Sequence, residues 1–129
     1  MSNAISSRWL RAAGLVGAVG VALGAFGAHG LKDRIPADLL EVYRTGVLYH
    51  MLHAVVLLTV VLCEHRIQWG RLVRWLLLGG IFVFSGTLYA LALSGQRWLG
   101  AITPLGGLAF IAAWATLFVG GASSQPRAS

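Results

Sequence analysis

A chain of 129 residues that is 57% hydrophobic and only 11% charged is too apolar for a soluble domain of that size, and it is long enough for one domain at most. Its net charge of +6 does not point to nucleic acid, because the basic residues form no stripe interleaved with aromatics and stand instead at the ends of apolar runs, where topology determinants stand. A single cysteine, Cys63, excludes an internal disulfide and any multi-cysteine metal site, and it reads as a packing residue.

Residues 1–7 are short and polar and are expected to be a flexible end. Arg8, Trp9 and Arg11 then form a basic, aromatic shoulder before an uncharged run from Ala12 to Gly30. Ala25 and Gly27 are small residues at the spacing of a signal-peptide cleavage site, but the run exceeds a usual apolar region of roughly 7 to 15 residues. A first membrane span over about residues 10–29 is therefore expected. Within it Gly14, Gly17, Gly20, Gly24 and Gly27 recur at steps of three and four, which places all five on one helical face. Hydrocarbon supplies little hydrophobic drive between helices, so a strip of small residues that lets backbones approach closely is a helix-packing groove, and Gly20 with Gly24 forms a GxxxG pair inside it.

Residues 32–44 are the longest polar connection. Pro36 suits a helix start, Asp38 and Glu41 suit its positive end, and Leu39, Leu40, Tyr43 and Val47 follow at helical spacing. The expectation is a short amphipathic helix between the first and second spans, lying at the interface or running straight on, with Gly46 as a bend. Further spans are expected at about 45–63, 72–93 and 103–121, with Trp69 and Trp75 as interfacial anchors, Thr103-Pro104 as the start of the last helix and 122–129 as a flexible tail. The fold class is thus an all-α, integral membrane four-helix bundle. Four spans put both termini on one side. That side carries Arg8, Arg11, Arg66, Arg71, Arg74 and Arg127 against Lys32, Arg34, Arg44 and Arg97 on the other, which favours cytoplasmic termini.

Under that topology His29 ends the first span, His50 and His53 lie one to two turns into the second, Tyr89 nears the end of the third, and Thr103 begins the fourth. All are expected at the non-cytoplasmic end, where His29, His50, His53, Tyr89 and Thr103 form a candidate polar cluster. The chemical readings are a metal site, a haem ligand pair or a proton relay. None has its full motif: there is no Glu-x-x-His pairing, no Cys-x-x-Cys-His and no carboxylate inside a span. The plainer reading is a neutral histidine bonding a backbone carbonyl and a hydroxyl on a neighbouring helix. No Gly-x-Ser-x-Gly elbow and no phosphate loop occurs, and Thr45, Thr59, Thr87 and Thr103 read as hydroxyls bonding helix backbone. No catalytic residue, metal or cofactor is assigned.

Four blocks carry a resemblance: residues 24–32 (GAFGAHGLK), 49–54 (YHMLHA), 84–89 (FSGTLY) and 97–107 (RWLGAITPLGG). In order and spacing they resemble the YgdD/YwdK-like family of small bacterial inner-membrane proteins, a domain of unknown function with eukaryotic relatives. The resemblance implies a four-helix membrane domain in the bacterial inner membrane and adds no activity. It also implies that some relatives carry glutamine at the position of His50 while matching at His53, which favours His53 of the two. The expected role is non-enzymatic: structural or assembly work in the lipid bilayer, docking helices of a second copy or of another membrane protein through the glycine face. The alternatives are a small transporter or proton conductor using the histidine cluster, and a metal- or haem-binding protein.

Overall fold

The computed structural model describes residues 2–123, and within them the chain is helical throughout, joined by short turns. Helix α1 (Ser2–His29) is followed by α2 (Ala37–Leu62), then by a third span built from α3 (Gly70–Gly80), a π-helical turn (Ile81–Ser85) and α4 (Gly86–Ser94), and finally by α5 (Thr103–Ser123). Short 3-10 turns at Glu64–Arg66 and Arg97–Ala101 make two of the connections. Four stretches are long and apolar enough to cross a membrane: Ser7–His29, Ala37–Leu62, Gly70–Ser94 and Arg97–Gly121. The residues expected as a flexible N-terminal end are, from Ser2 on, the first turns of α1. Met1 and residues 124–129 of the expected tail lie outside the described residues.

The amphipathic stretch after the first span forms no separate element. Pro36 caps α2, and the helix runs from Ala37 straight through Gly46 without a break. Gly46 is instead a point of close approach: a Cβ there would lie 2.9 Å from the Tyr89 ring. At the far end of the third span Gly95 adopts φ +73, and its N–H bonds the Leu91 carbonyl at 2.7 Å, ending α4 in the left-handed conformation glycine tolerates.

Helix α2 is the hub. Its buried residues Leu40, Tyr43, Gly46, His50, His53, Leu57 and Val61 recur at helical spacing and form one stripe facing inward. Helix α1 lies against α2, the third span packs between α2 and α5, and the outside is apolar, with Phe82 76% and Phe118 83% exposed. Two apolar clusters fill the ends of the bundle. Ala13, Leu57, Val60, Val61, Val73, Leu77 and Ala113 pack at the end carrying the termini, and Leu31, Leu40, Tyr43 and Ala92 at the other.

The third span and α5 approach through glycines. A Cβ on Gly106 would lie 2.7 Å from the Phe84 Cα, and one on Gly80 would lie 2.5 Å from the Phe110 ring. Gly14, by contrast, faces open space. Gly106→Ala is therefore expected to lower stability by about 1–3 kcal/mol, as overpacking against a backbone does, while Gly14→Ala is expected to be neutral or slightly stabilising. Reversible unfolding in mixed detergent–SDS micelles compares the two; equal effects would contradict this packing.

Candidate functional site

Between the two apolar clusters lies a belt of polar side chains, and α2 supplies its centre. His50 follows Ala37 by thirteen residues, about 20 Å along the helix. It and His53 thus sit near the middle of α2, one to two turns beyond Thr45. The helix starts earlier because Pro36 and Asp38 begin it within the polar connection.

His50 joins three helices. Its Nε2 lies 2.8 Å from the Val16 carbonyl on α1, and its Nδ1 lies 2.8 Å from the Tyr89 hydroxyl on α4. The protons follow from the partners: a carbonyl only accepts, so Nε2 carries the hydrogen, and in a buried neutral ring Nδ1 then accepts from the Tyr89 O–H. The ring reaches Val16 because it lies beside Gly20, where a Cβ would come within 3.1 Å of the imidazole and closer still to the Met51 sulfur. Tyr43 repeats this arrangement one heptad away. Its ring lies on Gly27, and its hydroxyl donates to the Leu23 carbonyl at 2.5 Å. In both cases the acceptor is four residues before the glycine, so the ring covers one turn of α1 and bonds its exposed carbonyl lone pair. A third tie runs from the Ser85 hydroxyl, 0% exposed, to the Gly46 carbonyl at 2.7 Å.

His53 is held differently. Its Nδ1–H donates to its own helix at the Tyr49 carbonyl, 2.8 Å away, and its Nε2 accepts from the Trp114 indole N–H at 3.2 Å. The imidazole stacks on Phe110, with centroids 3.6 Å apart and planes within 9°. Thr103 pairs with Thr87 hydroxyl to hydroxyl at 2.7 Å. Thr45, Thr59 and Thr87 bond the carbonyls of Glu41, Val55 and Val83 on their own helices.

The structure thus brings His50 and Tyr89 together, places His53 against Trp114 on the α5 side, and sets Thr103 with Thr87. His29 is exposed at the end of α1 and joins none of these groups. Among the described residues no three His, Cys, Asp or Glu side chains are placed to share a metal ion. Both nitrogens of His50 and of His53 are engaged, so ligation by either would first break a bond to a neighbouring group. Of the glycine strip, Gly20, Gly24 and Gly27 lie against His50, Val47 and Tyr43 of α2, whereas Gly14 and Gly17 face open space.

Sequence reasoning did not single out Trp114, Phe110 or the carbonyl acceptors. Nor did it show that Arg74, one of the basic residues at the ends of the apolar runs, is only 2% exposed. Its Nη1 lies 2.5 Å from Glu64 Oε1 as a charge contact without hydrogen-bond alignment, and its guanidinium sits 4.8 Å from the Trp9 ring centroid.

Four apolar helices around a belt of mutually paired polar groups define a small multi-pass membrane protein. The family model described as a protein of unknown function, DUF423, matches residues 23–107, a stretch that contains all four resembling blocks. The UPF0382 membrane protein YwdK of Bacillus subtilis is 48% identical over 102 residues, covering 77% of this chain and 83% of the relative. A UPF0382 membrane protein of Haemophilus influenzae is 38% identical over 122 residues, 94% of this chain and 98% of the relative. The UPF0382 membrane protein C1782.12c of Schizosaccharomyces pombe is 40% identical over 116 residues, 83% and 95% of the two chains. The chain belongs to this family. Its relatives' names state a membrane location and no activity. No solved structure matches the chain.

If His50 ties α1 to α4, then His50→Leu strands the Tyr89 hydroxyl and is expected to cost about 1–2 kcal/mol. His50→Gln, which keeps a donor and an acceptor, is expected to cost less than half of that. A double-mutant cycle with Tyr89→Phe should give a coupling of about 0.5–1.5 kcal/mol in the same unfolding assay; additive losses would remove the tie.

Proposed function

We propose that this protein is a non-catalytic helix-docking module of the bacterial inner membrane, with both termini in the cytoplasm, that pairs with a second copy of itself through α1. The observation that carries the reading is the uncovered half of the glycine strip. Gly14 and Gly17 meet nothing within 4 Å, and Ala18, Val21, Ala25 and Ala28, all exposed, extend the same flank of α1 at steps of three and four.

Small residues are the means by which helices associate in lipid. A strip of this kind is also self-complementary, so two copies related by a two-fold axis can press the same face together with no special partner. The trough beside it, a cavity of about 330 Å³ lined by Gly24, Ala28, Val47, Leu48 and Met51, leaves room for larger side chains of the second copy. The orientation rests on the excess of arginine at the end with the termini.

The transport reading has less support. It calls for a wet path to His50, and the cavity that reaches His50 is walled by Leu15, Val19, Leu78 and Phe82. The cofactor reading calls for unengaged ligand nitrogens, which His50 and His53 do not offer.

Cysteine cross-linking in native membranes, in a Cys63→Ala background, tests the dimer. Gly14→Cys, Ala18→Cys and Ala25→Cys are expected to give disulfide-linked dimers, while Leu15→Cys and Val19→Cys on the other flank are not. Adding Gly17→Leu is expected to reduce the Ala18→Cys product about tenfold. Equal cross-linking on both flanks, or none at all, would overturn the reading.

A further inference from the structure

The opposite flank of α1 is also uncovered, but it is built differently. Between α1 and the third span a cavity of about 310 Å³ is walled by Leu15, Val19, Leu23, Ile81 and Phe82, with His50 and Tyr89 at its floor. A second cavity of about 250 Å³ lies toward the end with the termini, lined by Arg8, Trp9, Ala12, Trp75 and Leu78. Leu78 lines both, so the two adjoin and form a cleft lined by an arginine and two indoles at one end and by hydrocarbon toward mid-bundle. Gly79 and Gly86 on the third span face open space and do not narrow it.

The mouth is positively charged and held in shape. Arg8, Arg11, Arg66, Arg71 and Arg74 gather at this end of the bundle against one acidic residue, Glu64, and Glu64 is taken by Arg74. At the other end Asp33, Asp38 and Glu41 nearly balance the four basic residues, and Arg97 and Arg44 are ion-paired with Asp38 and Glu41. Buried Arg74 sits under the Trp9 ring, and Trp9 meets Trp75 edge to face at 5.1 Å. The two indoles that frame the mouth are thereby fixed, and Arg71 stands one turn before Trp75 on the same helical face.

We propose that this cleft binds one anionic phospholipid, its phosphate held by Arg8 and Arg71 beside the Trp9–Trp75 pair and one acyl chain running past Leu78 to Gly86. Charge complementarity selects this occupant. A zwitterionic lipid would satisfy the apolar part and gain little at the mouth, whereas an arginine near an anionic headgroup favours binding about fivefold. The site lies on the flank of α1 away from the small-residue strip and does not depend on the dimer.

The test is native mass spectrometry of the full chain released into mild detergent from nanodiscs of equal phosphatidylglycerol and phosphatidylethanolamine. One phosphatidylglycerol per chain is expected, in about tenfold or greater excess over phosphatidylethanolamine. Arg8→Gln with Arg71→Gln should bring the ratio near one, and Gly86→Leu, which fills the cleft, should remove bound lipid of both kinds. Equal retention of the two lipids by the wild-type chain would overturn the proposal without recourse to any variant. So would a preference that survives loss of both arginines.

Discussion

The structure depends on rings from α2 lying on glycines of α1. Apolar surface gains nothing by leaving one apolar medium for another, so helices in lipid are held by close backbone approach and by hydrogen bonds across the contact. Here one device supplies both. Gly20 and Gly27 remove the side chains that would keep His50 and Tyr43 at a distance, and the rings use the space to bond the carbonyls of Val16 and Leu23. The seven-residue repeat on each helix makes the two ties fix one register: a slip of one residue would put both rings against side chains. Tyr89 on Gly46 extends the same logic to α4, and through the Tyr89 hydroxyl the α1 contact and the α4 contact meet at one imidazole.

This arrangement ties the polar belt into the packing of the bundle. Histidine, serine and tyrosine in apolar helices suggest reactivity, but His50, His53, Ser85 and Tyr89 bond a backbone carbonyl or a neighbouring polar side chain. The cost of burying these groups is offset locally. Helix α1 packs mainly on α2 and leaves two flanks open. One flank is small and uncharged and the other is lined by apolar side chains with Arg8, Trp9 and Trp75 at one end, which is why a helix is proposed for the first and a lipid for the second.

Much of this was legible in the sequence because it rests on period and spacing. The uncharged runs set four spans, the recurrence of glycines marked the side of α1 on which Gly20, Gly24 and Gly27 meet α2 but not that Gly14 and Gly17 face open space, and His50, His53, Tyr89 and Thr103 were recognisable as polar groups inside apolar helices. The partners were not legible, because a carbonyl acceptor such as that of Val16 or Gly46 carries no residue signature. Trp114 and Phe110 read as ordinary apolar helix residues, and only the packing of α5 brings them to His53. The π-helical turn at Ile81–Ser85 also left no mark in the hydropathy pattern, yet Ser85 reaches Gly46 from its last residue. The burial of Arg74 was not legible either: an arginine at the start of a span gives no sign that Glu64 and Trp9 fold over it.

The most direct test of the account is the protonation pattern of His50 in lipid bilayers, read by nitrogen-15 solid-state NMR of histidine-labelled protein. The ring-on-glycine tie requires a neutral imidazole with its hydrogen on Nε2, donated to a carbonyl, and a hydrogen-bonded but unprotonated Nδ1. A doubly protonated ring, a hydrogen on Nδ1, or a metal-shifted Nε2 resonance would contradict the arrangement on which the rest of the fold is built.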